Sequence, residues 1–238
     1  MSQSLATYRI NLELSDPTIA VPMFILSSIL MTYNFGSAQL ETPDDPISAL
    51  HHCFMLLKGI RFVVDPHWEH IKHDPLIMRM TNTAQPETLD ALDTLAQDDN
   101  SQEILRLRAI TDLLLATADK EACLVAIEEL HHTCLRLRHS TPDDDEFILL
   151  FLWPTCVSPR FFQLFSARNP VACIITTHFA ALLAQCRPIW WAVKWPRWLL
   201  HAAEEMMAAT PDLLEWLAWP QQIIRAQPSP MVTPSSAH

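Results

Sequence analysis

Residues 169–186 read NPVACIITTHFAALLAQC, and the fold of the whole chain turns on this stretch. It carries no charged residue over 18 positions. A bilayer span needs about 20 predominantly apolar residues. Here two threonines, a histidine and a glutamine interrupt the apolar run. Pro170 marks a helix start, since proline is tolerated in a first helical turn. The stretch therefore predicts a buried core helix over Pro170–Cys186, not a membrane span.

Working outward, the same punctuation recurs. Pro159–Ser166, Pro188–Ala209 and Pro211–Trp219 read as helices opened by proline, and Phe147–Trp153 follows an acidic cap at Asp143–Glu146. Seven of the eight tryptophans lie beyond residue 150, so the second half supplies most of the large apolar surface. Towards the N-terminus, Asp16 and Pro17 predict a helix running to Asn34 and ended by Gly36. Asp45 and Pro46 start a second helix reaching Val64, with Leu50, Phe54, Leu57 and Phe62 at helical spacing. Shorter helices are expected over Pro66–His73 and Pro86–Ala96. Two longer ones are expected over Asn100–Ala116 and Asp119–Arg138, with acidic starts and basic ends that suit the helix dipole. The sum is an all-α fold of about ten helices. Residues 1–15 read as irregular, 16–226 as a single helical domain and 227–238 as a proline- and serine-rich tail. The polar stretch Gln97–Gln102 is too short to separate two domains.

Composition narrows the function classes. Of 238 residues, 50% are hydrophobic and 18% charged, below the usual quarter, which suits a large interior. Two glycines against eighteen prolines leave nothing from which to build glycine-rich hairpins or a phosphate-cradling loop. The net charge of −11 repels a phosphate backbone. The nearest basic group, Arg136, Arg138 and His139, adjoins Asp143, Asp144 and Asp145. Direct nucleic-acid binding is not expected. The closest two of the six cysteines, Cys123 and Cys134, are eleven residues apart, so no CxxC pair exists and no structural zinc site is expected. Met1–Asp16 lacks a signal-peptide layout. The thiols read as reduced and buried, in an intracellular, cytoplasmic or nuclear protein.

One ordered series of short motifs carries a resemblance. Leu56-Leu57-Lys58-Gly59-Ile60-Arg61 is followed by Trp68. Then come Trp153, Phe161, Leu164, Asn169-Pro170-Val171-Ala172 and His178-Phe179-Ala180-Ala181-Leu182-Leu183. Trp190-Trp191, Trp195, Leu199-Leu200 and Trp216-Leu217-Ala218-Trp219-Pro220 complete it. In this order the chain resembles the ligand-binding domain of fungal sterol-uptake-control regulators, which are zinc-cluster transcription factors. The resemblance covers residues 18–225 and is strongest over 150–220. It implies an all-α domain with a deep apolar pocket between the C-terminal helices that accepts a sterol. It also implies dimerisation, so a homodimer is an expected assembly. Two departures stand out. The six-cysteine zinc cluster of such regulators has no counterpart, since the first cysteine is Cys53; the chain is not expected to be a complete regulator. Lys194 also stands where those regulators carry a glycine before the tryptophan at 195.

The candidate site follows. A helix over 188–209 would carry Trp190, Trp191, Trp195 and Trp198 with Met206 and Met207, and would align Trp191, Trp195 and Trp198 on one face. These aromatics would form the wall of an apolar pocket, against the alternative of ordinary core. The expected ligand-binding set is Phe161, Phe165, Phe179, Leu182, Trp190, Trp191, Trp195, Trp198 and Met206. His178 is the candidate catalytic side chain, able to orient a hydroxyl or move a proton. The simpler reading is a core histidine bonded to a carbonyl one turn back. Asp65, His67, Glu69, His70 and His73 make a dense polar group, but the three histidines fan over a broad face and form no HExxH pattern. The pairs His51-His52 and His131-His132 point about 100° apart on a helix, one inward and one outward. No metal ligand set and no cofactor are expected, and no GxSxG or cysteine-nucleophile signature is present. Two functions fit. One is a binding module for a sterol-, terpenoid- or polyketide-like molecule. The other is a cofactor-free enzyme (a cyclase, isomerase or Diels-Alderase) that works by positioning a flexible substrate.

Overall fold

The computed structural model describes residues 20–64, 69, 73–74, 99–140 and 146–227. The expected helices over Pro66–His73 and Pro86–Ala96, and most of the polar group around His70, lie outside the described residues, as do the two terminal segments. Among the described residues every regular element is helical and no strand occurs.

The helix read from residues 169–186 is the centre of the molecule. It spans Pro170–Gln185, and each residue from Val171 to Leu183 is buried. A helix that is apolar on all sides is stable only when helices surround it. Its polar side chains close on its own backbone: Thr176 and Thr177 donate to the carbonyls of Ala172 and Cys173 at 2.9 and 2.8 Å. Numbered in chain order, the helices are α1 (Ala20–Leu40), α2 (Pro46–Val64), α3 (Asp99–Arg106), α4 (Thr117–Arg138), α5 (Glu146–Cys156), α6 (Pro159–Ser166), the central α7, α8 (Trp195–Met207), the single turn α9 (Pro211–Leu214) and α10 (Ala218–Ala226). A 3-10 stretch, Leu107–Leu113, prolongs α3, and another, Glu215–Leu217, joins α9 to α10. Around α7 pack α8 and α10 on one side and α4, α5 and α6 on others, while α1 and α2 pair and close against α5, α6 and α8. One continuous apolar cluster runs through all of them.

Three helices start on a polar cap followed by proline. The carboxylate of Asp45 accepts from the backbone N–H of Ile47 and Ser48 at 3.2 and 3.3 Å. Ser158 Oγ accepts from Phe161 N at 3.3 Å, and Asn169 Oδ1 accepts from Val171 N and Ala172 N at 3.0 and 3.4 Å. These are the orphan donors of a first helical turn. The end of α6 is equally defined. Asn169 N donates to Leu164 O and Arg168 N to Phe165 O, at 2.9 and 3.0 Å, the two-bond closure that usually places glycine at the left-handed position. Here Arg168 holds that position at φ 57°, and its guanidinium reaches Asp45 at 2.5 Å.

Four sequence boundaries are corrected. α1 does not end at Gly36 but continues to Leu40, with Gly36 inside it. The expected Asn100–Ala116 helix tightens to a 3-10 stretch after Arg106. The helix expected over Pro188–Ala209 begins only at Trp195, because the Pro196 ring excludes a helical carbonyl four residues back. The Pro211–Trp219 helix divides at Leu214. Among the described residues no single helix is long and apolar enough to cross a membrane. α5 and α6, bent 92° to one another, pass that test only as a pair.

Candidate functional site

The aromatic residues of the C-terminal half meet those of α1 and α2 in the middle of the molecule. Phe179 of α7 stacks on Trp153 with ring centroids 4.9 Å apart and meets Phe54 edge-on at 5.4 Å. Phe35 of α1 contacts Phe151, Trp191 and Trp195 at 5.1, 5.7 and 5.5 Å. Trp153 meets Phe161 at 5.8 Å. The two buried indoles are anchored: Trp153 Nε1 donates to Ala126 O at 2.8 Å, and Trp195 Nε1 to Phe35 O at 3.2 Å. Phe161, Phe165, Phe179, Leu182 and Trp195 are buried, and the four rings among them pack on Trp153, Phe54 and Phe35. Trp191, Trp198 and Met206 are half-buried against the same cluster, whereas Trp190 is 69% exposed. Trp190 and Trp191 do not share a helix with Trp195 and Trp198. They sit on the turn between α7 and α8.

That turn is clamped to α1. Lys194 N donates to Gln39 Oε1 at 3.1 Å and Lys194 Nζ to Gln39 O at 2.7 Å. Gly36 lies beneath it. A Cβ at that position would stand 2.9 Å from Cζ3 of Trp190, closer than real side chains approach, and at a tight 3.3 Å from Cβ of Trp191. The lysine at 194 therefore anchors the turn, and the close backbone approach falls at Gly36.

Among the described residues the surface opens into clefts at three places. The first, of about 70 Å³, is bounded by α5, α7, α8, α10 and the turn. Phe147, Leu183, Ile189, Val193, Pro196 and Ile224 form its apolar wall, and Arg187 and Arg197 stand among its remaining lining residues. A second, of about 170 Å³, is polar, with Asn100, Arg138, Glu146 and Gln185 beside Cys134 and Cys186. A third, of about 270 Å³, is shallow and lies between α1 and α2, over Asn34, Glu41, His52, Cys53 and Trp195. All three are below the roughly 300–1,000 Å³ of typical small-molecule sites. Of the nine expected ligand-binding side chains, Leu182 borders the second cleft and Trp195 the third; none borders the first. The apolar cleft instead uses Ile189, Val193 and Pro196, which a continuous helix from 188 would have arranged differently. The proline at 196 was the available signal for that turn.

His178 is 1% exposed. Its Nδ1 lies 2.9 Å from Ile174 O, one turn back, and its ring stacks on Trp219 at 5.4 Å. Burial lowers its pKa to about 4, with the Ile174 bond opposing the fall and the charge of Arg106 adding to it. It is a neutral core group and borders none of the three clefts. Burial likewise pushes the thiols of Cys53, Cys123 and Cys173 up to about 12, so they offer no thiolate for chemistry.

No family model, no curated protein and no solved structure matches this chain.

Proposed function

We propose that the chain is a binding module for an apolar small molecule, seated in the first cleft. One observation carries this reading: an apolar-walled opening lies between the C-terminal helices, bordered by a turn whose Trp191 reaches the aromatic core. Phe147 lines the cleft and its ring stands 5.5 Å from Trp191, which in turn touches Phe35 and Phe151. A larger chamber would require the 187–194 turn to part from α1, to which Lys194 ties it through Gln39. The resemblance to fungal sterol-responsive ligand-binding domains supports the same occupant class, sterol-, terpenoid- or polyketide-like. Few polar anchors are needed, because transfer of apolar area contributes about 25 cal/mol per Å² before ordering costs. At about 70 Å³ the cleft as described takes one edge of such a guest, and the rest requires the turn to move.

The test is equilibrium binding of the purified chain to a sterol, a sesquiterpenoid and an aromatic polyketide, read by tryptophan quenching. The expected result is saturable one-to-one binding of at least one class, recovery of that ligand chemically unchanged, and loss of binding in Val193→Trp, which fills the cleft. Trp191→Ala weakens it. Absence of saturable binding in all three classes, or full binding by Val193→Trp, overturns the reading. Recovery of a converted product replaces it with the enzymatic one.

A further inference from the structure

On the face of the molecule formed by α3 and α4, three side chains of metal-ligating type converge. Glu128, His131 and His132 sit on consecutive turns of α4, and one donor atom from each lies within 4.8 Å of the other two. Adjacent histidines point about 100° apart on a helix, so the pair alone does not chelate. Glu128, three and four residues earlier, stands between them and completes the set. We infer that these three residues form a binding site for a zinc-class divalent cation.

The surroundings fit what metal-bound imidazoles require. Ligating histidines hold their second ring nitrogen to an oxygen, which fixes tautomer and orientation. His131 Nε2 lies 2.6 Å from Ser101 Oγ on α3. In the tautomer that donates to this hydroxyl, Nδ1 carries the lone pair. His132 Nε2 faces Glu128 Oε1 at 3.6 Å, while its Nδ1 faces Glu129 Oε1 at 3.9 Å. At 3.9 Å this is an ion-pair separation and not a hydrogen bond, and a small approach would make Glu129 the outer carboxylate of the His132 ring. The other oxygen of Glu128 is bonded by Arg108, which holds the carboxylate in place and leaves Oε1 to the site. Neighbouring donors around tetrahedral zinc stand roughly 3.3 Å apart, from bonds of about 2.0–2.1 Å. Rotation of the partly exposed His132 ring, with Glu128 moving together with its exposed partner Arg108, would supply the contraction. Two imidazoles and one carboxylate suit zinc, with copper and nickel as chemical competitors and calcium or magnesium disfavoured. Three protein donors leave a fourth position open to water.

The test uses the full chain, stripped with chelator and titrated with zinc chloride by calorimetry and with cobalt(II) by visible spectroscopy. The expected result is one zinc per chain, the intense ligand-field bands of four-coordinate cobalt, and a higher melting temperature with zinc. Glu128→Gln and His132→Gln, at partly exposed positions that leave His131 in the core, should each weaken binding at least tenfold and abolish the zinc-dependent rise in melting temperature. His201→Gln, on an exposed helical pair with Glu205, should leave binding unchanged. No zinc binding, or binding unaltered in both Glu128→Gln and His132→Gln, overturns the site and leaves only adventitious histidine contacts.

Discussion

At His178 two physical effects oppose one another, and the larger makes this side chain a contributor to the acid sensitivity of the fold. Burial lowers the pKa from 6.5 to about 4 despite the bond to Ile174 O. In the folded state the ring stays neutral down to that pH, whereas the unfolded chain takes up a proton near 6.5. Because the unfolded state binds more protons between these values, stability is complete above pH 6.5 and falls as the pH drops towards 4. The loss amounts to about 3 kcal/mol. His51, lowered by burial and by His52, acts in the same direction. Urea unfolding at pH 7.5, 5.5 and 4.5 should show this decline, and His178→Gln should flatten it while lowering stability at pH 7.5 through loss of the Trp219 stack. A variant whose profile runs parallel to that of the parent would show that another group governs the acid limb.

At the scale of elements, the informative contact is α1 against the turn between α7 and α8. Glycine inside a helix costs about 1 kcal/mol relative to alanine, and Gly36 is kept where Trp190 and Trp191 press on it. Gly59, in α2, has nothing within 4 Å of its would-be Cβ. Gly59→Ala should therefore stabilise the protein by about 0.5–1 kcal/mol. Gly36→Ala should give less, or destabilise, until Trp190→Ala removes the flexible part of the obstruction. A double-mutant cycle by thermal denaturation measures the coupling, and strict additivity would deny the contact. The same elements show what the sequence could reveal. Asp45-Pro46 and Pro170 announce the starts of α2 and α7, because a cap followed by proline is a local signal. Pro196 is a local signal for the break before Trp195, but the continuation of α1 through Gly36 is set by a turn some 150 residues away and is not visible locally. The aromatic residues could be assigned to the interior from their type. Whether they line a void or fill it depends on ring geometry, which composition does not encode. His131 and His132 are unproductive as a pair because the helical step separates them; Glu128 shares their face of α4 at i, i+3 and i+4 spacing, whereas Ser101 meets His131 only when α3 packs on α4.

At the scale of the whole molecule, a single apolar cluster links α7 to the surrounding helices and shields most thiols. Cys53, Cys123, Cys134, Cys173 and Cys186 are buried, and Cys156 is exposed. Ellman's reagent at pH 8 should label one thiol promptly in the native protein and the other five only on unfolding. Cys156→Ser should remove the prompt phase, and a fast second phase in that variant would reveal local opening.

An indole left in water while its neighbours are buried also makes the molecule self-reporting. Trp190, 69% exposed, should emit to the red of Trp153 and Trp195, which are fully buried. The difference in soluble-quencher response between the parent and Trp190→Phe then isolates the strap beside Lys194 from the other indoles, and its motion can be timed without attaching a label.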